Sequence, residues 1–165
     1  MDNQKFIQQA VDLALENVKR GGRPFAALVV KNNEIISTGV NQIKLTNDPT
    51  AHAELLALRE AGRLLSTPNL EDSRVYASGQ PCPMCLAAIR MAGISKVFFA
   101  FSNTDAEPFG LSTAKIAELL RVEPQFQEGL EFTQLKSNHC SDLYAIWQRQ
   151  QLIGLRRITF RLVTY

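Results

Sequence analysis

The chain has 165 residues, 45% of them hydrophobic and 21% charged, with a formal net charge of +2. That composition supplies one full hydrophobic core and excludes a disordered chain, while so weak a charge gives little hint of a nucleic-acid surface. Met1-Asp2-Asn3-Gln4 lacks the apolar stretch of a secretory leader, no apolar run nears the roughly 18 residues of a membrane span, and two of the 3 cysteines are spaced C-x-x-C, so we expect a cytoplasmic protein with no membrane partner.

The elements follow in chain order. Phe6, Ile7, Ala10, Val11, Ala14, Leu15 and Val18 recur at helical spacing, and Gly21-Gly22 stops that helix. Phe25 to Val30, then Lys31-Asn32-Asn33, then Glu34 to Val40 reads as a hairpin. A second helix is expected from about Ala51 to Leu65, with Thr50 or Asp48 as its cap. Arg74 to Ala77 is a third strand, Cys82 to Met91 a helix ending near Gly93, and Lys96 to Phe101 a fourth strand. Thr113 to Arg121 is expected to be helical, Leu130 to Leu135 a fifth strand, and Asp142 to Leu152 a last helix. Helices alternating with short apolar strands predict an α/β fold: a three-layer α-β-α sandwich around a five-stranded mixed sheet. Residues 1–154 read as a single domain and 155–165 as a C-terminal tail or extra edge strand, because Ile158, Phe160 and Leu162 alternate with Thr159 and Arg161. The arginines at 149, 156, 157 and 161 make that end basic; an RNA-contacting or dimer-swapped tail is the functional alternative to a plain edge strand or mobile tail.

Two short segments carry chemistry: His52-Ala53-Glu54 and Pro81-Cys82-Pro83-Met84-Cys85. One imidazole and two thiolates make three ligands for zinc, which leaves the fourth tetrahedral position for water, as in catalytic sites. H-x-E followed by P-C-x-x-C is the pattern of zinc deaminases, in which the Glu moves protons and is not a ligand. Both segments fall at expected helix starts, where free N–H groups and the helix dipole favour thiolates. Pro81 and Pro83 stiffen the turn that presents Cys82. Glu54 would take a proton from the attacking water and pass it to the ring nitrogen and the departing amine.

On these residues the chain resembles the cytidine-deaminase-like superfamily. Asn47 to Glu54 together with Pro81 to Cys85 is most similar to bacterial guanine deaminases, and also resembles tRNA adenosine deaminases and fungal cytosine deaminases. The similarity runs from Phe6 to about Trp147. Arg23-Pro24-Phe25-Ala26-Ala27 and Asn103-Thr104-Asp105-Ala106 look like the guanine branch. The resemblance implies His52, Cys82 and Cys85 as Zn2+ ligands, Glu54 as the proton shuttle, Asn41 as a substrate contact, and Phe25 and Ala53 beside the substrate. It also implies a small-molecule nucleobase or nucleoside as substrate, and a homodimer or larger assembly. Two departures stand out: Gln80 occupies the position where relatives carry Glu, and Phe109 to Thr113 lacks the acidic residue that guanine deaminases use to read the purine edge, with Asp105 and Glu107 offset from it.

Four readings therefore compete: a purine-base deaminase like the guanine enzymes; a tRNA adenosine deaminase, not favoured at this charge; a cytosine or other aminoheterocycle deaminase; and a zinc-stabilised binding protein without turnover. Outside the motif, Asn41 also fits a turn closing the hairpin. Cys140 is expected to be buried and His139 exposed, since neighbouring helical residues do not face one site. Trp147 and the run Phe98, Phe99, Phe101 are expected in the core.

Overall fold

The computed structural model describes residues 2–139 and 142–162, with 153–162 as backbone alone. The chain divides into two compact units, Met1–Gln127 and Glu128–Tyr165. In the first unit, helix α1 (Asn3–Lys19) precedes strands β1 (Ala26–Lys31) and β2 (Glu34–Val40), and a short helix α2 (Ile43–Thr46) leads to α3 (Ala53–Leu65). Strand β3 (Arg74–Gly79), helix α4 (Pro83–Met91), strand β4 (Lys96–Phe101) and the short helices α5 (Asn103–Ala106) and α6 (Ala114–Leu119) follow.

The sheet order is β2-β1-β3-β4, with β1 antiparallel to both neighbours and β3 parallel to β4. The β1–β2 hairpin turns on Asn32 and Asn33, both at positive φ (50° and 65°), the backbone of a tight primed turn whose twist matches the strands it joins. Side-chain alternation separates two cores. Leu28, Val30 and Tyr76 face α1 and pack with Phe6 and Ala10. Ala27, Val29, Val75 and Ala77 face the other way, against Ala53, Ala57 and Ala61 of α3 and Ile89 of α4. Helices thus cover both faces, as the alternating pattern predicts.

Small residues bring α3 against β2. Ser37 Oγ donates 2.7 Å to the Ala57 carbonyl. A Cβ at Gly39 would overlap the Ala53 carbonyl oxygen and come within 2.8 Å of the Ala57 nitrogen. A glycine inside a strand marks such an approach. This contact sets the height of the start of α3 above the sheet, and that start carries His52 and Glu54.

Three expectations are corrected. Among the described residues the sheet has four strands, not five: Leu130 to Leu135 pairs with no strand. Apolar residues in that segment suggest a surface that could pair, but a strand exists only with a partner to take its backbone hydrogen bonds. Of the tail or extra edge strand expected at 155–165, the described part, 155–162, is not a strand but the end of helix α7 (Leu143–Leu162); a helix satisfies its backbone within one segment and needs no partner. Phe99 and Phe101 are exposed (44% and 54%), as is Trp147 (62%). Phe98 alone of its run stacks inward, 4.9 Å from the Tyr76 ring. Phe99 and Phe101 share a face with Val97, on the side where α3 packs over β1 and β2 rather than over β4. His139 is exposed as expected. Cys140 lies outside the described residues, and among those residues no helix is long and apolar enough to cross a membrane.

Candidate metal centre and active site

The two motif segments meet at adjoining helix starts. His52 is the N-cap of α3 and Cys82 the N-cap of α4; both have extended backbone, and neither spends its side chain on a capping hydrogen bond. The expected caps do other work: Asp48 Oδ1 accepts from the Thr50 N–H and Oγ, each at 2.7 Å, closing a turn that delivers the chain to His52. Pro83 takes the first position of α4, where its missing N–H costs nothing and its fixed φ is already helical. Cys85 lies one turn on and is fully buried.

These placements bring three donors together. His52 Nδ1 lies 3.6 Å from both Cys82 Sγ and Cys85 Sγ. The three ligand atoms all fall within 4.8 Å of one another. Zn–N near 2.05 Å and Zn–S near 2.3 Å at the tetrahedral angle give an N···S edge of about 3.6 Å, so the donor set fits zinc without rearrangement. The three side chains are positioned to hold a metal ion.

Glu54 stands beside the cluster and outside it. It is 7% exposed, and its Oε2 accepts from Cys85 Sγ at 3.4 Å. Burial raises its carboxyl above the ordinary range, partly offset by its own backbone N–H and by Cys85. The two sulfurs divide the charge between them. Cys82 is lowered to about 4, first by the hydrogen bond from Cys85 and then by His52. Cys85 is pushed up by that same bond, by burial and by Glu54. The Cys82 sulfur holds the His52 imidazole above its usual value. With both sulfurs deprotonated, two thiolates around one imidazole carry negative charge that a dication would balance.

The substrate residues named from the sequence are placed unequally. Ala53 is fully buried at the first turn of α3, between His52 and Glu54. Asn41 is 5% exposed. Its Oδ1 accepts from the Ile43 N–H at 3.3 Å and its carbonyl from Asn17 Nδ2 at 3.1 Å. Asn41 therefore does close the turn after β2, and Gln42, bonded to the Ala51 carbonyl at 3.0 Å, ties that turn to the metal segment. Phe25 packs over Gly79, where a Cβ would meet its ring at 2.8 Å, and lines an apolar cavity of about 410 Å3. A second cavity of about 350 Å3 opens directly on His52 and Cys82, with Pro83, Thr113, Ile116 and Leu120 around it.

The resemblance pointed to the segment ending at Thr113, but sequence reasoning missed Ile116 and Leu120; no spacing in the chain marks α6 as facing the metal segment. It missed Ser78 too. That buried hydroxyl accepts from the Ala26 N–H at 3.0 Å and donates to the Pro24 carbonyl at 3.2 Å, so it fixes the backbone on both sides of Phe25.

Comparison with known proteins agrees with this geometry. Residues 1–101 match the family model described as the cytidine and deoxycytidylate deaminase zinc-binding region. The chain is 44% identical over 117 residues to the guanine deaminase of Bacillus subtilis, covering 70% of this chain and 75% of that protein. It is 40% identical over 100 residues to the tRNA-specific adenosine deaminase of Aquifex aeolicus, covering 61% and 66%. The crystal structure of guanine deaminase from Bacillus subtilis superposes with a TM-score of 0.82 at 37% identity, over 90% of this chain and 95% of that one. The matched region spans both halves of the metal motif, and the chain belongs to the cytidine and deoxycytidylate deaminase zinc-binding family.

Proposed function

We propose that this protein is a zinc-dependent hydrolytic deaminase of a purine base or related nucleobase, with guanine as the first substrate to test. The observation that carries the reading is the buried Glu54 carboxyl set against, but not within, a zinc-fitting trio of His52, Cys82 and Cys85. Zinc held by His52, Cys82 and Cys85 would supply a water acidified towards neutrality. Glu54 would accept a proton from the attacking water and deliver it to the ring nitrogen beside the carbon bearing the amine. The same carboxylate would carry the second proton to the amine, which would leave as ammonia as the carbonyl forms. A carboxyl that burial raises above its ordinary range holds a proton more readily than an exposed one, which suits a proton shuttle.

In this reading Asn41 holds the substrate from the turn after β2. Phe25 and the backbone at Ala53 bound the base on the side of the sheet. Residues 1–154 act as one catalytic domain. The 44% identity to a guanine deaminase over most of the chain supports the substrate class. We place the enzyme in purine metabolism in the cytoplasm, acting as a homodimer. The tRNA adenosine deaminase likeness supports a second reading in which the substrate is a flipped nucleotide.

Ammonia release from guanine, isoguanine, guanosine, adenine, cytosine and cytidine separates these readings. Turnover of guanine supports the proposal, and turnover of cytosine or cytidine alone redirects it to the pyrimidine branch. Silence across the panel, with inosine formed in tRNA, would replace it with the second reading.

A further inference from the structure

We propose that Asn103 is a positioning residue that ties the metal loop to the opposite wall of the reaction pocket through Thr113. The inference rests on the deaminase reading for what fills that pocket, but not for the contact itself. The pocket of about 350 Å3 has two walls of different origin. His52, Cys82 and Pro83 come from the packed starts of α3 and α4. Ile116 comes from α6, which contains no buried residue, and Thr113 and Leu120 are its N-cap and C-cap. Apolar packing is therefore a weak anchor for the second wall, and its place must be fixed by other contacts.

The hydrogen bonds supply them. The Thr113 N–H donates to Asn103 Oδ1 at 3.1 Å and the Thr113 hydroxyl donates to the same oxygen at 3.3 Å. Thr113 is also the N-cap residue of α6, and its carbonyl accepts from the Ala117 N–H at 3.1 Å. Fixing Thr113 thus fixes the start of the helix that carries Ile116. Asn103 is held in turn: its own N–H donates to Gln80 Oε1 at 3.0 Å. The Gln80 N–H donates to the Phe101 carbonyl at 2.7 Å, at the end of the parallel β3–β4 pair. Gln80 stands two residues before Cys82. A route of hydrogen bonds therefore runs from the strand ends and the metal loop, through Gln80 and Asn103, to Thr113. Ser102 and Asp105 lock the turn that carries Asn103 with a reciprocal cap.

Both side-chain amides on this route, Gln80 and Asn103, work through their oxygens as acceptors. That explains why an uncharged Gln80 serves here, since its amide oxygen can take the Asn103 N–H as a carboxylate would. A planar base held between the two walls needs them at a fixed separation, and loosening one wall weakens binding more than it slows chemistry.

The test uses the full zinc-loaded chain and three variants: Asn103→Ala, Asn103→Asp and Gln80→Ala. Two readouts are taken: KM and kcat on whichever base the wild type deaminates, and hydrogen exchange of the Thr113 amide. We expect Asn103→Ala to raise KM about tenfold with kcat within about twofold and zinc content unchanged. Its Thr113 amide should exchange at least about tenfold faster. Asn103→Asp keeps both acceptor positions and should recover most of both effects, while Gln80→Ala should show them in weaker form and keeps the test decisive if Asn103→Ala does not fold. Wild-type KM and Thr113 exchange in Asn103→Ala would overturn the proposal, as would equal damage in Asn103→Ala and Asn103→Asp. If the wild type deaminates no base at all, the deaminase reading fails, and the exchange data still decide the contact.

Discussion

His52 and Cys82 hold the same position in two different helices. Each is the residue before the first turn, each has extended backbone, and their ligand atoms lie 3.6 Å apart. Ordinarily a side chain at this position caps its own helix. Here both are free of that duty and point at one another. We therefore expect purified protein to carry about one zinc per chain, and His52→Ala or Cys82→Ser to reduce it well below that. Metal analysis of wild type and variants, prepared without chelator, checks this; full zinc in both variants would mean that the ligands lie elsewhere.

Glu54 contacts Cys85 without joining the trio. Replacing it with Gln keeps the shape but removes the proton carrier. Activity should fall by about 100-fold or more, while zinc content and Tm stay near wild type. Loss of zinc in Glu54→Gln would reassign Glu54 as a ligand.

Gly39 is predicted to tolerate no side chain. Its missing Cβ is the space taken by the backbone of α3 at Ala53 and Ala57. Backbone cannot swing aside as a side chain can, so Gly39→Ala should cost about 3 kcal/mol or more. Chemical denaturation reads this directly. An unchanged midpoint would show that α3 does not lie so close to β2.

Ser78 offers a milder test at the same end of the sheet. Ser78→Ala removes the acceptor for the buried Ala26 N–H, at a cost of about 1–3 kcal/mol. It also frees the chain around Phe25, so we expect a higher KM alongside the lower stability. Both effects must appear together; a stability loss with wild-type KM would separate Phe25 from substrate binding.

Much of this was legible in the sequence, for identifiable reasons. The alternation of Ala27, Val29, Leu28 and Val30 between two faces follows from strand geometry alone. The motif states its own chemistry, because few combinations of His, Glu and two Cys serve anything else. What the chain could not show depends on partners. Leu130 to Leu135 reads as a short strand, yet a ladder needs a second strand that composition does not name. Phe99 and Phe101 look as apolar as Phe98, but only Phe98 has a neighbour in Tyr76. Residues 155–162 alternate too, and lie in a helix. Gly39 did carry a signal: a glycine within an apolar strand pattern marks a close approach. Asn103 and Thr113 each lie in a segment that the resemblance marks, but nothing in the sequence marks the contact between them, which only the folded loop makes.

The central claim is that Glu54 and the His52, Cys82, Cys85 trio form one deaminating site. Ammonia release from guanine by zinc-loaded wild type and Glu54→Gln, assayed side by side, tests it most directly. The account predicts turnover by the wild type and at least about a 100-fold loss in the variant with zinc retained. Equal ammonia release by both proteins would contradict it.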